Sequence, residues 1–178
     1  TVGAILFARS TDGGKSFSKT QAIDARVQPF DQGTSGVSFR TNAYPTMAID
    51  GTGRIYVAWA ARGFAAARPD VIAGDARIVV STSGDGGATW TAPNIVVDEF
   101  GQPGHQVMPA LALAAGKLML VYYDFRNDIS QTFGRYVNEA EAAQAAGLRH
   151  TVELRAAMAD PARLPVFTLQ ASVSDPDR

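Results

Sequence analysis

Two eight-residue segments with one pattern constrain the fold of this chain more than any other feature. Ser10-Thr11-Asp12-Gly13-Gly14-Lys15-Ser16-Phe17 and Ser83-Gly84-Asp85-Gly86-Gly87-Ala88-Thr89-Trp90 both read Ser-x-Asp-x-Gly-x-Ser/Thr-Phe/Trp, with Asp12 and Asp85 73 residues apart. Each follows a run with strand character, Ile5-Leu6-Phe7-Ala8-Arg9 in one case and Arg77-Ile78-Val79-Val80-Ser81-Thr82 in the other. Another short strand candidate follows each octet, around 20–24 and 95–98. A short carboxylate in such a turn accepts hydrogen bonds from amides of its own turn. Glycine at 14 and 87 opens backbone angles closed to other residues, and the closing aromatic has area enough to pin the turn on a sheet.

A second motif also repeats. Ala43-Tyr44-Pro45-Thr46-Met47-Ala48-Ile49 leads through Asp50-Gly51-Thr52-Gly53 into Arg54-Ile55-Tyr56-Val57-Ala58-Trp59. Its counterpart, Gln106-Val107-Met108-Pro109-Ala110-Leu111-Ala112-Leu113, turns at Gly116 into Lys117-Leu118-Met119-Leu120-Val121-Tyr122, with Pro45 and Pro109 64 residues apart. Short β-branched and aromatic runs around glycine turns predict hairpins. Each proline is expected near the start of its first strand, where a missing amide donor is tolerated. Met47, Met108 and Met119 fall within the strand pattern and read as core. One segment departs from the pattern: Asn138 caps, Glu141 completes a capping box, alanines follow and Gly147 ends it, which predicts a helix over 138–147. Strands resume at 150–157 and 165–173. Lettered a to d within a four-stranded unit, the chain reads c-d, a-b-c-d, a-b-helix-c-d, which is ten strands or two and a half units. A ten-stranded sandwich would need no internal repeat, so the repetition favours a propeller.

Composition removes several function classes. Of 178 residues 46% are hydrophobic and 19% charged, a balance that supports a core. Sixteen basic residues against seventeen acidic ones leave no basic stripe for nucleic acid. No apolar run approaches the roughly 18–20 residues that span a bilayer. Without cysteine there is no disulfide, thiolate ligand or thiol nucleophile. Two histidines, His105 and His150, do not make a multi-histidine metal centre within one chain. No metal site and no cofactor follow from the residues. The opening residues Thr1 to Leu6 carry neither initiator methionine nor basic leader, pointing to a start inside a longer or processed polypeptide.

The two octets resemble the Asp-box, or BNR repeat, of the sialidase-like superfamily: Ser10, Asp12, Gly14, Ser16 and Phe17 fill one, and Ser83, Asp85, Gly87, Thr89 and Trp90 the other. The resemblance implies an all-β propeller of four-stranded antiparallel blades, usually six in the ring. It places the box at the turn between the third and fourth strands, as scaffold away from the active site. Residues 1–178 then form a partial propeller: a half blade with its box at 1–30, a full blade with its box at 41–98, and a boxless full blade at 105–174 carrying the helical insertion 138–147. Open sheet edges are a liability, so the expected partners are the remaining blades, in the same polypeptide or in other copies. A glycan is the ligand class implied, and a secreted, cell-surface or periplasmic location goes with it.

The most polar strand end is Tyr122-Tyr123-Asp124-Phe125-Arg126-Asn127-Asp128. Arg62 ends the equivalent strand of the preceding repeat, and His105 precedes a first strand; such rim positions on a rigid scaffold often carry function. The superfamily implies an arginine triad for the substrate carboxylate, an aspartic acid/base, and a tyrosine nucleophile assisted by glutamate. Arginine suits the first role because it pairs bidentately with carboxylates, and a phenol attacks only beside a base. On that pattern Arg126 and Arg62 are candidates for ligand binding with His105, while Asp124, Tyr123 and Arg126 are candidates for catalysis, with Tyr122 an alternative phenol. The superfamily's Arg-Ile-Pro motif is absent, and no triad with a supporting glutamate assembles from the sequence. Three readings therefore stay open: an exo-sialidase or related glycoside hydrolase, a glycan- or protein-binding module, and a scaffold fragment with no activity of its own. Plainer readings stand beside them: an Asp124–Arg126 pair closing a turn, Tyr122 packing like Trp59, His105 bonding within its loop, or Asp124 and Asp128 sharing calcium with carbonyls.

Overall fold

The computed structural model describes residues 3–28, 42–65, 74–96, 104–127 and 152–173. The expected helix over 138–147 and Asp128 lie outside the described residues, among which there is no helix. Strands β1 (Gly3–Phe7) and β2 (Gln21–Val27) form an antiparallel pair. Strands β3 (Thr46–Ile49), β4 (Ile55–Ala61), β5 (Arg77–Ser83) and β6 (Asn94–Ile95) make a four-stranded meander in chain order. Strands β7 (Gln106–Ala114), β8 (Lys117–Asp124), β9 (Glu153–Ala159) and β10 (Thr168–Ser172) make a second. The fold is all-β, a half blade followed by two four-stranded antiparallel blades.

The three sheets pack face to face. Every residue of β4 and β5 is buried. Ile55, Val57, Trp59, Ala61 and Val79 pack against Ile5 and Val27 of the half blade. Tyr56, Ala58, Ala60, Ile78 and Val80 point the other way, onto Val107, Leu118, Leu120 and Tyr122 of the third sheet. Side chains alternate between the faces of a strand, so a sheet covered on both sides reads as a continuous apolar run. At roughly 25 cal/mol per Å2 of apolar surface buried, these two seams are the main source of cohesion.

Among the described residues the third sheet is covered on one side only. Along β8, Leu118, Leu120, Tyr122 and Asp124 are buried, whereas Lys117, Met119, Val121 and Tyr123 are exposed. Met119 is therefore not core, and neither is Met47, which is 52% exposed. Met47 and Ile49 pair with Val57 and Ile55, so they lie on the face toward the half blade, where that sheet has no inner strands to cover them. Met108 is partly buried against the core. The prolines also divide. Pro45 directly precedes β3, but Pro109 lies inside β7, where the register shifts between Val107 and Ala110 and Met108 takes a positive φ of 53°. A bulge on an edge strand accepts a proline because no ladder bond is lost there.

Candidate functional site

One end of the sheets carries the hairpin turn at Asp50–Arg54 and the two octets. The opposite end gathers the last residues of β4 and β8 with the first residues of β5, β7 and β9. Arg62, His105, Asp124 and Arg126 all come to this second end, with Arg62, His105 and Asp124 buried. Tyr123 is there too, but strand alternation turns it to the uncovered face, 40% exposed, away from Asp124.

His105 stitches the second blade to the third. Its Nδ1 accepts the Ala76 amide at 3.0 Å, which puts the ring proton on Nε2, 3.7 Å from Asp75 Oδ1. Asp75 Oδ2 accepts the Gly104 amide at 3.1 Å, and Arg77 Nη1 donates to the carbonyls of Ala76 and Gly104 at 3.0 and 2.7 Å. Gly104 has a φ of +93°, and a Cβ there would lie 2.5 Å from the Phe125 backbone, so only glycine fits. Arg62 Nε donates to the Gly74 carbonyl at 3.2 Å.

Asp124 is the centre of the cluster. Its carboxylate accepts the Arg126 amide at 2.8 Å and Arg126 Nη2 at 2.6 Å, with Gln106 Nε2 at 3.4 Å and Arg155 Nε at 3.8 Å. Glu153, directly opposite Asp124 in the ladder, accepts Arg155 Nε at 3.0 Å and Nη2 at 2.6 Å, and Asn127 donates to its other oxygen. Two carboxylates facing one another repel; the two arginines offset this. Burial pushes the Asp124 carboxyl up, against the pull of Arg126 and Arg155. At Glu153 burial acts in the same sense, but the hydrogen bonds from Asn127 and Arg155 prevail and hold it below the usual range. Burial, then the nearby Arg155 charge, brings the Arg126 guanidinium down to about 10. Burial and the Asp124 charge raise the Tyr122 phenol to about 12, and its Oη meets no hydrogen-bond partner among the described residues. The described carboxylates of this cluster are thus taken by guanidinium or amide donors, and Tyr122 stays a protonated phenol at neutral pH. No group of three potential metal ligands occurs among the described residues.

The octets at the other end share one wiring. Ser10 Oγ donates to Asp12 Oδ1 at 2.7 Å and accepts the Gly14 amide at 2.8 Å; Asp12 accepts the Ser16 amide and hydroxyl at 3.0 and 2.6 Å. Ser83, Asp85, Gly87 and Thr89 repeat these bonds at 2.8, 2.8, 2.9 and 2.5 Å. The Ser16 and Ser10 bonds bring the Asp12 carboxyl down to about 2, and the Thr89 bonds lower Asp85 further. Trp90 packs edge-on against Phe7 at 5.2 Å, while Phe17 is 67% exposed.

Arg77, Asp75, Gln106, Glu153 and Arg155 were not singled out from sequence. A charged residue opening a strand, as Arg77 and Glu153 do, is the signal that marks those two.

No family model matches the chain. It is similar to a sialidase from Micromonospora viridifaciens, 32% identical over 108 residues that cover 57% of this chain and 16% of that protein. The chain thus spans about one-sixth of the length of the curated relative it matches. Similar solved structures include the Trypanosoma rangeli sialidase, with a TM-score of 0.44 at 15% identity over 84% of this chain and 21% of that one. A family 117 glycoside hydrolase from the marine bacterium Zobellia galactanivorans gives 0.45 at 20% identity over 82% and 42%.

Proposed function

We propose that this chain, similar over part of its length to a sialidase, supplies blades to a glycan-binding propeller that does no hydrolysis with the residues described. The observation that carries the reading is the Asp124 cluster. A general acid or a nucleophile needs a group free to exchange a proton with substrate, and Asp124 and Glu153 are engaged by Arg126, Arg155 and Asn127. Tyr123, the phenol within one residue of Asp124, points off the opposite face. We assign ligand oxygens at this rim to its cations, Arg126 and Arg155, whose guanidinium planes are oriented by Asp124 and Glu153. The exposed row Met119, Val121 and Tyr123 supports a further blade as partner, whether from the same polypeptide or another copy. A secreted or surface location accords with a glycan ligand.

The test is calorimetry of the full-length protein with sialyllactose, run beside a fluorogenic sialoside hydrolysis assay. Binding without turnover is expected, with affinity reduced about tenfold by Arg126→Lys, which keeps the charge and loses the bidentate fork. The relative's name, sialidase, favours a second reading. Turnover abolished by Asp124→Asn or Tyr123→Phe would establish the exo-sialidase and end the binding-only proposal.

A further inference from the structure

At the octet end, remote from Asp124, a groove of about 230 Å3 lies between the second octet and the connection from β9 to β10. Two cations line it, Arg54 from the start of β4 and Arg163 from that connection, together with Thr91 and Trp90. No side-chain hydrogen bond or ion pair engages either guanidinium among the described residues. One carboxylate, Asp85, shares the groove, and its hydrogen bonds are made within the octet. Asp50 is occupied by Thr52, the Arg54 amide and Tyr56 Oη.

The third blade shows what this position does when it is purely structural. The pairing of Ile55 with Ser83 sets Arg54 opposite Gly84; the pairing of Leu118 with Ala159 sets Lys117 opposite Asp160. Lys117 Nζ meets Asp160 at 2.5 Å. The same cation in the second blade meets a glycine instead. Its guanidinium lies over that glycine, where an added Cβ would come within 3.1 Å of Nη1 and 3.6 Å of Cζ. The octet itself does not require glycine there, since the first octet carries Thr11 at the same place. Gly84 therefore makes room for a guanidinium that forms no ion pair among the described residues, rather than serving the turn.

We propose that this groove binds an anionic sugar residue, sulfated or uronic, with Arg54 and Arg163 taking the anion. Guanidinium forks match the oxygens of sulfate and carboxylate. Thr82 Oγ1 donates to the Arg163 carbonyl at 2.5 Å, which anchors the connection that brings the second cation. Thr91 Oγ1 accepts the Thr82 amide at 3.0 Å, leaving its own proton to donate to a sugar oxygen. Trp90, fixed by Phe7 and by its Nε1 bond to the Gly87 carbonyl at 3.2 Å, supplies an aromatic wall. The volume, below the roughly 300 Å3 at which drug-sized pockets begin, suits a single sugar unit. This site stands independently of the activity at the Asp124 end.

Calorimetry of the full-length protein with glucose 6-sulfate, glucose and sodium sulfate tests it. Glucose 6-sulfate is expected to bind at least tenfold more tightly than either of the others. Arg54→Gln and Arg163→Gln should each weaken it tenfold or more. Gly84→Thr, which copies the first octet, should do the same at an unchanged melting temperature, while Arg126→Lys leaves it unaltered. Sodium sulfate binding as well as the sugar sulfate would overturn the sugar assignment, and glucose binding as well would overturn the role of the cations. Failure to bind, or full affinity in Gly84→Thr, would overturn the site itself.

Discussion

The second and third blades are built on one plan, and they differ in what lies beside them. Their second strands are both apolar runs, Ile55–Ala61 and Leu118–Tyr123. One is buried throughout and the other alternates, because the half blade covers the second blade's outer face while the third has no such neighbour among the described residues. Burial here is a property of position in the stack, and a strand's composition declares the covering it is made for. Met119, Val121 and Tyr123 face Met158, Ala156 and Leu154 across the ladder, an apolar surface of the kind that the second blade buries.

Truncation gives the largest test of that difference. Trp59→Ala should cost about 3–5 kcal/mol, the range for a large aromatic removed from a core. Met119→Ala should cost no more than about 0.5 kcal/mol, as for a surface position. Urea unfolding of this chain measures both. In a longer protein whose next blade covers the third, Met119→Ala should rise toward the roughly 2–5 kcal/mol of a core methionine; a surface value there would break the comparison. Trp59→Phe refines it, since the Trp59 Nε1 is buried without a hydrogen-bond partner among the described residues and its removal forfeits packing but no bond.

The octets sharpen the comparison on a smaller scale. Gly14 and Gly87 both have a left-handed φ, +87° and +89°. A Cβ on Gly14 meets nothing within 4 Å, whereas on Gly87 it would lie 2.2 Å from Phe7 Cε1. Gly14→Ala should therefore show only the backbone penalty, about 1–2 kcal/mol. Gly87→Ala adds overpacking of about 1–3 kcal/mol. Thermal melts of the two variants separate these contributions, and equal losses would mean that the second octet is not seated on the half blade.

Much of this was legible in the chain because it is periodic. The octets and the two hairpins fix the lettering of ten strands, and all ten form. The parts that escaped depend on contacts remote in sequence. Met47 has a core residue's chemistry and a surface residue's place, decided by strands the half blade does not have. Pro109 reads as a residue near the beginning of its strand, and the bulge beside Met108 is what lets it sit within the ladder. Tyr123 and Asp124 are adjacent in sequence and look like one site, yet alternation sends them to opposite faces. Glu153 and Arg155, which complete the Asp124 cluster, lie across a connection outside the described residues, so only the ladder register of β8 and β9 brings them together.

The smallest expected effect bears on the same pair of blades. Lys117 and Asp160 are 49% and 77% exposed, so their bond is screened by water and salt. Asp160→Gly, which gives the third blade the second blade's residue at that position, should change stability by about 0–1 kcal/mol, measured by thermal melting at low and high salt. The salt dependence is the informative part. If the pair contributes, the wild-type advantage over the variant shrinks as ionic strength rises. A flat response in both would mean that Asp160 only neutralises a charge at no gain in stability. Arg54 opposite Gly84 then forgoes nothing by standing unpaired, and its open guanidinium is all the easier to explain by a ligand.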